Sequence, residues 1–64
     1  MTNKEWQSWI INIENSSAVV ESQLGWKVVK SVFERYGAKS ICDLNPKDLP
    51  EVFSELYAIE ADLR

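Results

Sequence analysis

Side chains able to do covalent chemistry are scarce in this chain. Cys42 is its one thiol, and it contains no histidine. A cysteine nucleophile works as thiolate and needs a base or a positive site beside it. The commonest general base, which is also the commonest metal ligand, is missing here. Glu51 and Glu55 stand one helical turn apart, but carboxylates on the solvated side of a helix are its ordinary furniture. Gly25 and Gly37 lie too far apart to build a phosphate-cradling loop. A single cysteine closes no internal disulfide, and without histidine there is no ordinary zinc site. No catalytic residue, metal ligand or cofactor is assigned, and a non-enzymatic protein is expected.

Binding chemistry is better supplied. The formal net charge is −3 with a pI near 4.7, and it is unevenly distributed. Before Gly25, Lys4 stands against Glu5, Glu14 and Glu21; from Gly25 to Lys39, the cations Lys27, Lys30, Arg35 and Lys39 stand against Glu34 alone; the remainder is strongly acidic. The basic middle is the candidate nucleic-acid surface, since affinity for a duplex comes mainly from neutralising phosphates. The acidic balance disfavours it, as does the acidic character of the helix after the loop, which a helix-turn-helix would insert into DNA. Aromatic residues give the other candidate. Trp, Tyr and Arg dominate protein–protein hot spots, which singles out Trp6, Trp9, Trp26 and Tyr57, with core packing the competing role, above all for Trp6.

Three helices must position these groups. Thr2 with Glu5 three residues later forms a capping box. From there Trp6, Ile10, Ile13, Ser17, Val20 and Leu24 recur at spacings of three and four. At about 100° per residue they keep to one stripe, with Trp9 on its flank. The spacing predicts a helix over 3–23; Asn15-Ser16-Ser17, which favour caps, leave a break there as the alternative. Ile11, Ala18 and Val19 fall opposite the stripe, and Ser17 within it leaves room for close helix approach.

Gly25 stops the first helix with a left-handed residue, and a second is predicted over 26–36. It buries Val29, Phe33 and Tyr36, with Trp26, Val28 and Val32 at its margins, and Gly37 ends it. Ile41 and Leu44 are too apolar for a solvated connector and should plug one end of the core. Asn45-Pro46 restarts the chain as cap and first-turn residue, giving a third helix over 47–63. Pro50 pushes its regular part to begin near Asp48 or Leu49. Leu49, Val52, Phe53, Leu56, Ile59 and Leu63 form its apolar stripe. Glu60 lies in that stripe, which implies either a helix end projecting beyond the core or a cation brought by a partner; the projecting end is the expectation, because an unpaired buried carboxylate is costly.

The words Phe33-Glu34-Arg35-Tyr36-Gly37-Ala38-Lys39-Ser40 and Asp43-Leu44-Asn45-Pro46-Lys47-Asp48-Leu49 resemble the helix, glycine stop and proline restart of small phage-type helical accessory proteins. The ending is similar to the helical C-terminal segments of phage recombination and single-strand-annealing proteins. The resemblance covers roughly the last 35 residues and brings no catalytic residues. It implies a viral or mobile-element origin and work beside proteins of DNA replication, recombination or host defence.

An all-α three-helix bundle forming one domain over 1–64 is therefore expected. A chain this short buries only about 60% of its unfolded surface. With disulfide and metal unavailable, oligomerisation is the remaining staple. A homodimer is expected, with Ile11 and Val19 serving self-association, and a protein partner of unknown identity held by Trp9, Trp26 and Tyr57. No apolar run approaches the ~20 residues that span a bilayer, and a cytoplasmic setting follows as the expectation.

Overall fold

The computed structural model describes residues 2–63. Among them, α1 spans Asn3–Leu24, α2 spans Trp26–Arg35 and α3 spans Leu49–Asp62, with two single 3₁₀ turns, Ile41–Asp43 and Pro46–Asp48, between α2 and α3. There is no strand among the described residues. The all-α three-helix bundle is the observed fold.

The start of α1 is set by Thr2, whose Oγ1 accepts the Glu5 backbone N–H at 3.2 Å. The reciprocal half of the box differs from the expected pattern, because the Thr2 hydroxyl itself donates to the Glu5 carboxylate at 3.2 Å. α1 then runs unbroken through Asn15-Ser16-Ser17, and both serines are buried, at 4% and 6% exposure. Packing along that segment outweighs the weak helix propensity of its residues.

Gly25 donates its N–H to the Glu21 carbonyl at 2.8 Å, closing α1. Its φ of 89° is positive as expected, but ψ is 163°, an extended conformation nearly confined to glycine and not the left-handed helical one. The chain thereby folds back into α2 with no intervening loop. Gly37, at φ 73°, ends the turn after α2.

The core gathers Ile10, Ile13 and Val20 of α1, Val29, Val32 and Phe33 of α2, and Leu49, Val52 and Leu56 of α3, with Ala38 and Leu44 from the connector. Ile41 packs against it half-buried, so the expected plug forms, with Ala38 as an additional member. Asn45 caps the second 3₁₀ turn by accepting the Lys47 N–H at 3.1 Å, and regular α-helix begins at Leu49, beside Pro50 in the first turn.

Several positions depart from the helical-stripe expectation, Tyr36 at the end of α2 being half-buried rather than buried. Leu24 and Leu63 sit at helix ends beyond the reach of the neighbouring helix, and are 47% and 37% exposed. Val32, expected at a margin, is wholly buried because α2 meets both α1 and α3, which widens its covered arc. Glu60, expected on a projecting helix end, is buried at 8% exposure, so the last full turn of α3 does not project beyond the bundle.

Candidate functional site

α3 presents two chemically opposite flanks. At about 100° per residue, Pro50, Phe53, Ser54, Tyr57 and Ala61 fall on one side and Glu51, Glu55 and Asp62 on the other. The acidic flank meets α2: Arg35 Nη1 donates to Glu55 Oε1 at 2.9 Å. The second Glu55 oxygen, Oε2, is buried with no hydrogen bond. Tyr36, half-buried at the end of α2, has its phenol held above the ordinary tyrosine value by desolvation, and then by the Glu55 carboxylate, with which it interacts.

The uncharged flank meets α1. Trp9 lies edge-on to Phe53, with ring centroids 5.8 Å apart at 61°. Phe53 is in turn 5.8 Å from Tyr57, tilted at 39°. Such pairs contribute roughly 0.5–1.5 kcal/mol each beyond burial. The three rings form a row from the interhelical seam to the surface: Trp9 and Phe53 are half-buried, and Tyr57 is 49% exposed. Phe53 is the member that sequence reasoning assigned to the core alone. Its contact with Trp9 depends on which flank of α1 receives α3, and no local pattern encodes that.

Trp26 lies apart from this row. It opens α2 immediately after Gly25, 46% exposed, with its ring 6.2 Å from that of Phe33. Trp6 is half-buried against the core, as is Trp9. Ile11 and Val19 are 56% and 42% exposed on α1, and Ala18 beside them is exposed too.

Around Ile11 the exposed surface of α1 has a distinct composition. Ser8, Ile11, Asn12, Asn15, Ala18, Val19 and Ser22 are all exposed, and none is charged. In a chain with ten acidic and seven basic residues, the outer side of its longest helix therefore carries no charge between Glu5 and the helix end. Glu14 and Glu21, the two later acids of α1, lie on the opposite edge from Val19.

The basic candidates are dispersed. Lys27 and Lys30 are exposed one turn apart on α2, in line with Glu34. Arg35 points to α3 and is engaged by Glu55. Lys39 lies beyond the helix, where its backbone N–H donates to Asp43 Oδ2 at 3.1 Å. Cys42 is exposed in the first 3₁₀ turn. Among the described residues no group of three acidic or cysteine side chains is placed to hold a metal ion, and no helix is long and apolar enough to cross a membrane. The chain matches no family model, no curated protein and no solved structure.

Proposed function

We propose that this protein is a non-enzymatic protein-binding module that also self-associates. The observation that carries the reading is the aromatic row Trp9–Phe53–Tyr57, seated in a flank of α3 that has no charge. Protein interfaces concentrate aromatic residues and exclude charged ones from their centres. A row that is rigidly packed at one end and solvent-facing at the other offers contact area with little side-chain entropy left to lose. Trp26 is a second, separate exposed aromatic at the α1–α2 corner.

The partner is a protein with an apolar, weakly charged docking surface. The resemblance of the α2–α3 segment is the ground for seeking it among proteins of DNA replication, recombination or host defence, in the cytoplasm of a cell carrying a phage or mobile element. A protein captured from native extract on the immobilised chain, then purified, gives the test. Replacing Tyr57 by Ala should weaken its binding at least tenfold, the loss expected for a hot-spot aromatic, with the helical spectrum unchanged. Equal binding by the wild type, Tyr57→Ala and Trp9→Ala contradicts the reading.

Nucleic-acid binding is the competing reading, and exposed Lys27 and Lys30 speak for it. Engagement of Arg35 by Glu55 removes one of its four cations from a common face. A salt-sensitive DNA shift lost in the double variant Lys27→Glu, Lys30→Glu would favour it; no shift at low salt eliminates it.

A further inference from the structure

We infer that the uncharged outer face of α1 is where a second copy of this chain docks, antiparallel, about a two-fold axis passing beside Asn15. This inference rests on the self-association in the proposed function and adds the surface and the register. Ser8, Ile11, Asn15, Ala18 and Ser22 recur at alternating intervals of three and four, the seam spacing of two paired helices. All five are exposed in the single chain. The seam is on the side of α1 away from the core, so the helix has one apolar stripe for its own bundle and a second, smaller one facing out.

The occupant follows from the symmetry of the sequence about Asn15. In an antiparallel pair centred there, each position before Asn15 in one copy meets the position equally far after it in the other. Ser8 then meets Ser22, Ile11 meets Val19, Asn12 meets Ala18, and Asn15 meets itself. Ile11 on the seam and Val19 beside it, the two large exposed apolar side chains of the face, cover each other at both ends of the contact. Small residues between them let the helix axes approach, and facing Asn15 amides can hydrogen-bond, a device that fixes register in paired helices. A two-fold contact of this kind is self-complementary and closes at two copies.

Charge favours the same occupant. Two chains of like net charge approach best through the surface where neither carries any, and Glu5, Glu14 and Glu21 stand at its edges. Antiparallel alignment also opposes the helix dipoles. A stable contact takes about 800 Å² from each partner, a little under one fifth of the 4334 Å² that this chain exposes. α1, with 22 residues, extends about 33 Å along that contact.

Disulfide trapping tests the register. In a Cys42→Ser background, Asn15→Cys should form a cross-linked dimer in a glutathione redox buffer, while Ser31→Cys on α2 remains uncrosslinked at the same concentration. Light scattering on Ile11→Lys with Val19→Lys should show a single chain with unchanged helical content. If the wild type scatters as a dimer, but Asn15→Cys cross-links no faster than Ser31→Cys and the lysine variant stays dimeric, this face is overturned while self-association stands. A wild type that scatters as one chain at every concentration overturns both. Binding of the protein partner through Trp9, Phe53 and Tyr57 is untouched by either result.

Discussion

The two sides of α1 are made of nearly the same residue types and have opposite fates. Inward, Ile10, Ile13, Ser16, Ser17 and Val20 are buried against α2, α3 and the connector; outward, Ile11, Asn15, Ala18, Val19 and Ser22 are exposed. Both sets are isoleucine, valine and small or amide side chains without charge, the inner side having Trp6 and Trp9 in addition. Hydrophobicity alone therefore does not decide which side faces the core. The inner side has its large residues spaced to meet Phe33, Leu49, Val52 and Leu56, whereas the outer side has fewer of them, set around a polar centre. An uncharged side carrying isoleucine and valine and left outside is the ground for proposing an interface between chains there.

The strongest way to break the comparison is to truncate the same residue type on each side. Ile13, fully buried, should lose about 2–5 kcal/mol on replacement by Ala, the transfer term plus a cavity. In a domain this small that approaches the whole stability. Ile11→Ala should cost less than about 0.5 kcal/mol in the isolated chain, as surface changes do. Denaturant melts at low protein concentration check both, and equal losses would erase the distinction.

Next in size is the corner that sets which side of α1 receives α2. Gly25 holds φ 89° and ψ 163°, and a Cβ there would meet nothing within 4 Å. The cost of Gly25→Ala is therefore conformational, about 1–3 kcal/mol. A thermal melt should show it, and an unchanged melting temperature would mean that the corner relaxes freely.

A pair of serines sharpens the contrast with opposite signs. The Ser17 hydroxyl is buried without a hydrogen bond, so Ser17→Ala should stabilise by about 1 kcal/mol, through relief of desolvation and better helix propensity. Ser22, on the outer side, donates to the Val19 carbonyl at 2.8 Å in solvent, and Ser22→Ala should change stability by less than about 0.5 kcal/mol. Destabilisation by Ser17→Ala would mean that a partner for its hydroxyl exists in solution.

The smallest effect lies off α1, at the charged seam. The Tyr36 phenol is held above its unfolded value by desolvation and by Glu55. Its proton is then kept by the folded chain and lost by the unfolded one once pH passes about 10, the ordinary tyrosine value. Stability from this group is full below that pH and declines as pH rises through the folded value. Tyr36→Phe should remove that part of the alkaline decline, as measured by melts between neutral and strongly alkaline pH. An identical decline in both proteins would remove Tyr36 from the account.

Much of the fold was legible because local rules agreed with one another. Thr2 and Glu5 marked the start of α1, Gly25 and Gly37 the two stops, and Asn45-Pro46 the restart, each within a residue or two of the observed boundary. Angular arithmetic placed Ile11, Ala18 and Val19 outside and Ser17 inside. What failed was decided by contacts between helices. Burial of Val32 and Glu60, and exposure of Leu24 and Leu63, depend on how far each helix is covered by its neighbours, whereas the single helix through Asn15-Ser17 is as expected. The same holds for the candidate site. Trp9 and Tyr57 could be named from residue type, but Phe53 between them emerges only once α3 lies on one particular flank of α1.

Sedimentation equilibrium of the wild-type chain and of Ile11→Lys, across a wide range of concentrations, tests most directly whether the outer side of α1 is an interface. We expect the wild type to approach twice the 7.4 kDa chain mass as concentration rises, and Ile11→Lys to stay at one chain mass throughout. A wild type that holds 7.4 kDa at every concentration, or a lysine variant that associates equally well, would contradict it.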